Sequence, residues 1–178
     1  TVPVAHELDP DLGLLDGVSL WVTGTVMEED CDGLCWQYIL REGVLKPDVV
    51  VITEPTALRV YRGHRGRMEM EVRTQGRSAH GSAPERGVNA IYKMAPVVAD
   101  IETLNDALAA GADPFLGKGS VTISAVRSTS PSLCAVADSC TIHLDRRLTT
   151  GESLASAVAE VEALPSVRAA GATVKVLD

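Results

Sequence analysis

The stretch Arg65-Gly66-Arg67-Met68-Glu69-Met70-Glu71-Val72-Arg73-Thr74 alternates, with Met68, Met70 and Val72 on one face and Glu69, Glu71 and Arg73 on the other. A period of two is that of a strand with one face on a core and one in water, as in an antiparallel sheet. Just upstream the pattern differs. Asp48-Val49-Val50-Val51-Ile52-Thr53 is a short continuous apolar run, the signature of a parallel-sheet strand covered on both faces. The architecture therefore changes between residues 53 and 65.

Toward the C-terminus, residues 75–86 read as a Gly/Ser/Pro loop and residues 87–108 as a long helix. Val88, Ile91, Ala95, Val98 and Ile101 recur near helical spacing, and Pro96 is expected to kink that helix. A loop over 111–119, a strand over 120–127 and a turn over 129–133 follow. In the next strand, 135–148, Thr141, His143 and Asp145 alternate against Ile142, Leu144 and Arg146. Thr149-Thr150-Gly151-Glu152 reads as a capping box opening a helix over 153–164, and residues 172–177 as a last strand. From residue 65 onward the order is βαββαβ, that of the ferredoxin-like sandwich.

Toward the N-terminus, residues 18–26 read as a buried strand. Gly33 to Glu42 reads as a short helix capped by Asp30 or Asp32 and ended at Gly43. With the strand at 48–53 this makes a β-α-β unit closed by Pro55, preceded over 1–16 by a polar loop or a worn helix end. The fold class is α/β: a partial α/β sheet over residues 1–60, then a ferredoxin-like βαββαβ domain over 61–178.

Aromatics make up only 3% of the 178 residues, so Val, Ala, Leu and Ile must build the core. A net charge of −8 argues against a nucleic-acid partner, because phosphate binding needs clustered Lys and Arg. The one local cluster, Arg59, Arg62, Arg65 and Arg67 around His64, reads as a solvated strand flank. No apolar run reaches the roughly twenty residues of a membrane helix, and no charged-then-apolar leader opens the chain. Cys31, Cys35, Cys134 and Cys140 lack zinc-finger spacing and read as reduced thiols of a cytoplasmic protein.

Candidate chemistry sits at strand ends and in loops. Glu28-Glu29-Asp30 follows the strand at 18–26, and Glu54 follows the strand at 48–53. In an open α/β sheet the crevice beyond the carboxyl ends of the strands is where ligands bind. Adjacent Glu28 and Glu29 point apart on an extended backbone, so one can hold a metal while the other takes a proton from water. Their alternative is to favour the N-terminus of the following helix. Glu54 shares that structural alternative, since strand ends often carry acids. His80 lies in the small-residue loop Gly76-Arg77-Ser78-Ala79-His80-Gly81, where it is either idle or set for a polar task. Arg147, in Asp145-Arg146-Arg147, is either a carboxylate clamp or a surface ion pair.

Four motifs in order decide among these readings. They are Gly24-Thr25-Val26-Met27-Glu28-Glu29, Thr53-Glu54-Pro55-Thr56, Gly76 to Gly81 with Gly87-Val88-Asn89-Ala90-Ile91, and Asp145-Arg146-Arg147-Leu148. In them the chain resembles the two-metal amidohydrolase and peptidase family of acetylornithine deacetylase, succinyl-diaminopimelate desuccinylase, aminoacylase and the carbamoyl-amino-acid hydrolases. It looks nearest to the branch labelled selenium-metabolism hydrolases. The resemblance implies a metal-dependent hydrolase acting on an amide or carbamoyl bond of an N-substituted amino acid or small peptide. Two divalent metals, zinc with manganese or cobalt as alternatives, are implied as cofactors, and a homodimer formed through the 61–178 lid.

The resemblance makes Glu28 the general base, Glu29 a ligand of one metal and Glu54 a ligand of the other. It makes His80 the lid histidine that polarises the scissile carbonyl from the partner subunit, and Arg147 the holder of the substrate carboxylate. Cys134 stands where many members place a substrate-contacting Asn. The family's His-x-Asp motif, bridging Asp and downstream His do not occur in the chain, so the metal site is incomplete and the chain looks like the middle of a longer enzyme. From another class, a non-catalytic dimerisation or small-molecule-binding module would leave Glu28, Glu29 and Glu54 without a task.

Overall fold

A computed structural model describes residues 2–3, 19, 21–26 and 33–177. It falls into two compact units, Thr1–Pro55 and Thr56–Asp178.

In the first unit, β1 (Val2–Pro3) pairs antiparallel with β2 (Trp21–Val22). Helix α1 (Leu34–Arg41) follows. Its N-cap is Gly33 at φ 84°; Asp30 and Asp32, the caps expected from sequence, lie outside the described residues. Gly43, at φ 67°, lies just past its end, in a region glycine occupies without the Cβ penalty. The expected strand at 48–53 does not form, and Val49 to Ile52 are 57–84% exposed. A continuous apolar strand is held by neighbours on both edges and layers on both faces. No described residue supplies either. Of the strand expected over 18–26, residues 19 and 21–26 are described, and among them only Trp21–Val22 are in a strand.

The second unit is the βαββαβ sandwich. Its elements are β3 (Gly66–Gln75), α2 (Ala90–Ala107), β4 (Ser120–Thr129), β5 (Ser139–Leu148), α3 (Leu154–Ala163), α4 (Pro165–Ala170) and β6 (Thr173–Leu177). The sheet order is β4-β5-β3-β6, antiparallel throughout, with β4 and β6 as edges. One face carries the core, in which Met68, Met70, Val72, Val121, Ile142 and Leu144 pack against Met94, Val97, Ile101, Ala157, Val161 and Val167 from the helices. Each large apolar side chain buried here stabilises the fold by about 1.5–3 kcal/mol.

Two sequence readings are displaced locally. The buried stripe of α2 is Ala90, Met94, Val97 and Ile101, while Ile91 and Val98 remain 42% and 40% exposed. The capping box of α3 is formed by Ser153 and Ser156, not by Thr149 and Glu152. Glu152 accepts the Thr149 N–H at 2.7 Å, but the Thr149 hydroxyl donates to the Gly117 carbonyl at 2.8 Å.

Candidate functional site

Of the six residues singled out by sequence, Glu28 and Glu29 lie outside the described residues. Glu54 is exposed on irregular backbone. Among the described residues no three His, Cys, Asp or Glu side chains come together to hold a metal. A single exposed carboxylate does not make a metal centre, where three or four protein ligands are usual.

His80 and Cys134 are brought together. The 76–89 loop is laced to the segment before β5 by backbone hydrogen bonds. Gly76 N–H donates to Asp138, Gly81 N–H to Cys134 and Ala90 N–H to Ala137, while Val136 N–H donates to Ala79. Two of these contacts demand glycine. A Cβ on Gly76 would lie 2.2 Å from the Val88 carbonyl oxygen, and one on Gly81 would lie 2.7 Å from that of Cys134. His80 forms an isolated bridge with Ala135, and its ring is exposed.

The tautomer of His80 follows from its partners. The Ser82 N–H can only donate, and it meets Nδ1 at 3.2 Å. The Ser82 hydroxyl also lies 2.8 Å from Nδ1. Nδ1 is thus an acceptor, and the neutral ring carries its proton on Nε2. Nε2 has no hydrogen-bond partner among the described residues, so it presents a donor to solvent. Cys134 is exposed, whereas Cys140 is buried, and burial pushes the Cys140 thiol up from its ordinary value.

Arg147 lies at the other end of β5, on the sheet face away from the core. Its Nε and Nη2 donate to the two oxygens of Asp145, at 2.7 and 2.8 Å. Asp145 also faces Arg67 Nε at 3.5 Å. Arg67 in turn pairs with Glu69, which accepts from His143 Nε2 at 2.8 Å. His143 Nδ1 lies 2.5 Å from the Ser124 hydroxyl. Ser124 reaches this face because the β4–β5 register shifts between Ile123 and Ala125, a bulge of the kind that re-aims a side chain.

The sequence does not reveal this polar network across three strands as a unit. The alternation of 65–74 and 141–147 was its signal. What the alternation lacked was the register that sets Arg67 opposite Arg147 and Glu69 opposite Asp145. From Ser139, beside the His80 loop, to Arg147 are eight strand residues, roughly 25 Å. His80 and Arg147 of one chain therefore stand at opposite ends of the sheet.

Residues 62–172 match the family described as the peptidase dimerisation domain, M20_dimer. The chain belongs to that family. It is 56% identical over 170 residues to "Uncharacterized protein YgeY" of Escherichia coli (strain K12), covering 96% of this chain and 42% of that relative. Acetylornithine deacetylase of Klebsiella pneumoniae (strain 342) is 43% identical over 72 residues, which are 40% of this chain and 19% of the enzyme. Among solved structures, an aminohydrolase candidate from methicillin resistant Staphylococcus aureus superposes with a TM-score of 0.50 at 25% identity. That match covers 64% of this chain and 28% of the other. The chain thus spans less than half the length of each of these relatives.

Proposed function

We propose that this chain is the central part of a metal-dependent hydrolase that cleaves an amide or carbamoyl bond of an N-substituted amino acid or small peptide. In this reading residues 1–60 belong to the catalytic domain and 61–178 form the lid through which two copies pair. Homology to acetylornithine deacetylase supports the N-acyl amino acid class. Glu28 takes the proton of the attacking water, and Glu29 and Glu54 contribute to the metal centre. The Nε2–H of His80 donates to the carbonyl oxygen as negative charge develops there, a contribution worth about 10²–10³-fold in rate. Arg147 holds the substrate carboxylate, and Cys134 touches the substrate beside His80.

The observation that carries this reading is the separation of the His80 loop, beside the Ser139 end of β5, from Arg147 near its other end. No small substrate spans roughly 25 Å, so one chain's lid cannot supply both groups to one site. Pairing of two copies removes the difficulty. The outer edge of β4 has no partner among the described residues, and the strand from Ser124 to Thr129 is exposed. Ser120 pairs with Arg147 and Thr129 with Ser139. An antiparallel two-fold pairing of β4 with a second β4, centred on the strand, would bring the Thr129 end of one copy beside the Ser120 end of the other. The His80–Cys134 end of one lid then meets the Arg147 end of its partner. A two-fold contact is isologous, so two such mixed sites form. The exposed stripe Ile91, Ala95 and Val98 of α2, the helix packed on β4, would extend that interface.

The test is complementation in the full-length protein. His80→Ala and Glu28→Gln enzymes are prepared separately and mixed, with subunit exchange verified by mass. With His80 acting across the interface, half the dimers are mixed and each holds one intact site, so about a quarter of the activity returns. Recovery of no activity, with exchange confirmed, rejects the trans assignment.

A further inference from the structure

A guanidinium offers five N–H donors in a fixed plane, arranged so that two different edges can each grip a carboxylate. On Arg147 one of those edges is already occupied. Nε and Nη2 donate to Oδ1 and Oδ2 of Asp145, while Nη1 makes no hydrogen bond among the described residues. The strand places Asp145 two residues before Arg147, hence on the same face. Asp145 is itself restrained: its side chain is 19% exposed, and Arg67, opposite Arg147 on β3, also approaches its Oδ2, at 3.5 Å. This is a bidentate, partly buried contact within a network, unlike an isolated surface pair.

We propose that Asp145 is a positioning residue, which holds the Nε/Nη2 edge of Arg147 and so turns its Nη1/Nη2 edge toward the carboxylate of the substrate. The inference rests on the reading of Arg147 as the carboxylate clamp. Asp145 brings a negative charge close to an incoming anion, which opposes binding. Its benefit is geometric: without it the arginine side chain samples other rotamers, and the free edge points toward the ligand only part of the time.

Two measurements test the inference. In the chain with 15N-labelled arginine, the Arg147 Nε–H should exchange slowly with water and should lose that protection in Asp145→Ala. Unchanged exchange overturns the proposal, whatever the enzyme's activity. In the full-length protein the probe is a pair, N-acetyl-L-methionine and its carboxamide. Asp145→Ala should raise KM for the acid on the order of tenfold, below the ~10²-fold that a 1 Å misplacement can cost, with kcat nearly unchanged. KM for the carboxamide should not change, and Asp145→Glu should recover most of the loss for the acid. Equal effects on acid and carboxamide mean a general structural role and overturn the proposal. If Arg147→Ala leaves KM for the acid unchanged, or the wild-type protein cleaves neither compound, the clamp reading itself fails and takes this inference with it. If Arg147→Ala raises KM but Asp145→Ala does not, only the positioning role of Asp145 is rejected.

Discussion

Removing Glu152 should destabilise the lid more than removing Arg146, although the two form one ion pair. Arg146 stands on the core face of β5 and its side chain is 0% exposed. Its Nη2 donates to Glu152 at 2.7 Å and to Glu160 at 3.0 Å, and its Nη1 donates to the Arg147 carbonyl at 2.6 Å. The carboxylates lie nearer to water, with Glu152 at 17% and Glu160 at 35% exposure. Glu152→Ala leaves a guanidinium that cannot reach solvent, with Glu160 as its remaining anionic partner, and it also strips the acceptor from the Thr149 N–H. Orphaning one member of a buried pair costs about 3–5 kcal/mol. Because Glu160 remains, about 3 kcal/mol is expected. Arg146→Met keeps the apolar volume and lets both carboxylates hydrate, so about 1 kcal/mol is expected. The assay is urea unfolding followed by far-UV circular dichroism, since both tryptophans, Trp21 and Trp36, lie outside the second unit. At the usual slopes a loss of 3 kcal/mol moves the midpoint down by about 1–3 M. A Glu152→Ala midpoint unmoved, or an Arg146→Met loss exceeding it, would refute the argument from burial.

The same pair sets an acid dependence. Burial raises the Glu152 carboxyl, but the hydrogen bond from Arg146, the Thr149 N–H and the Arg146 charge together outweigh burial and hold it below its ordinary 4.5. A depressed folded value contributes stability that is fully present above the unfolded value and is lost as pH falls through the folded one. Wild-type stability should therefore fall below about pH 4.5, and Arg146→Met should flatten that slope; an unchanged slope in titrations of unfolding midpoint rejects the assignment. Gly76→Ala drives a Cβ into three backbone atoms of the His80 loop's anchor, and should cost about 2–4 kcal/mol in the same unfolding assay. Gly81→Ala displaces His80 against the Cys134 carbonyl, and should cut turnover of the full-length enzyme by about 10²-fold with little change in unfolding midpoint. Val126→Lys, on the free edge of β4, should turn dimers into monomers in sedimentation velocity. A Val126→Lys protein that still sediments as a dimer places the interface elsewhere.

Much of the second unit was legible in the chain because alternation is a local signal. Met68, Met70 and Val72 face inward, as do Ile142, Leu144 and Arg146. The βαββαβ order follows from such patterns and the loops between them. What the pattern could not supply is whatever depends on a distant partner. The run 48–53 has the composition of a central strand, yet a strand is a property of its neighbours, and the described residues offer none. The cap of α3 was misplaced by four residues because Thr149 finds a better acceptor across the fold in the Gly117 carbonyl. Helix α4, opening with Pro165 at its first turn, falls in residues 165–171, which the pattern leaves unassigned, because only six residues carry it. Of the candidate site, the approach of the His80 loop to Cys134 depends on long-range contacts, whereas Asp145 and Arg147 share a face by alternation alone. The motifs named the residues without saying which of them meet.

Helix α2 shows how one missing fact can hide a candidate interface. Two apolar stripes run along it, Ala90, Met94, Val97 and Ile101 on the core side and Ile91, Ala95 and Val98 beside them. Periodicity fits both equally, since they differ by one residue, a rotation of about 100°. A helix covering one sheet face needs only one stripe, and here the sheet takes the one with Met94 and Ile101. The other then carries apolar side chains into water for no gain within the chain. Sitting next to the unpaired edge of β4, it gives that edge an apolar flank. Unpaired strand edges are commonly protected by charge or proline, and β4 carries neither between Ser120 and Val126. The second stripe and the open edge therefore favour the same occupant, another copy of the lid, and that occupant is the one that would bring His80 and Arg147 into one site.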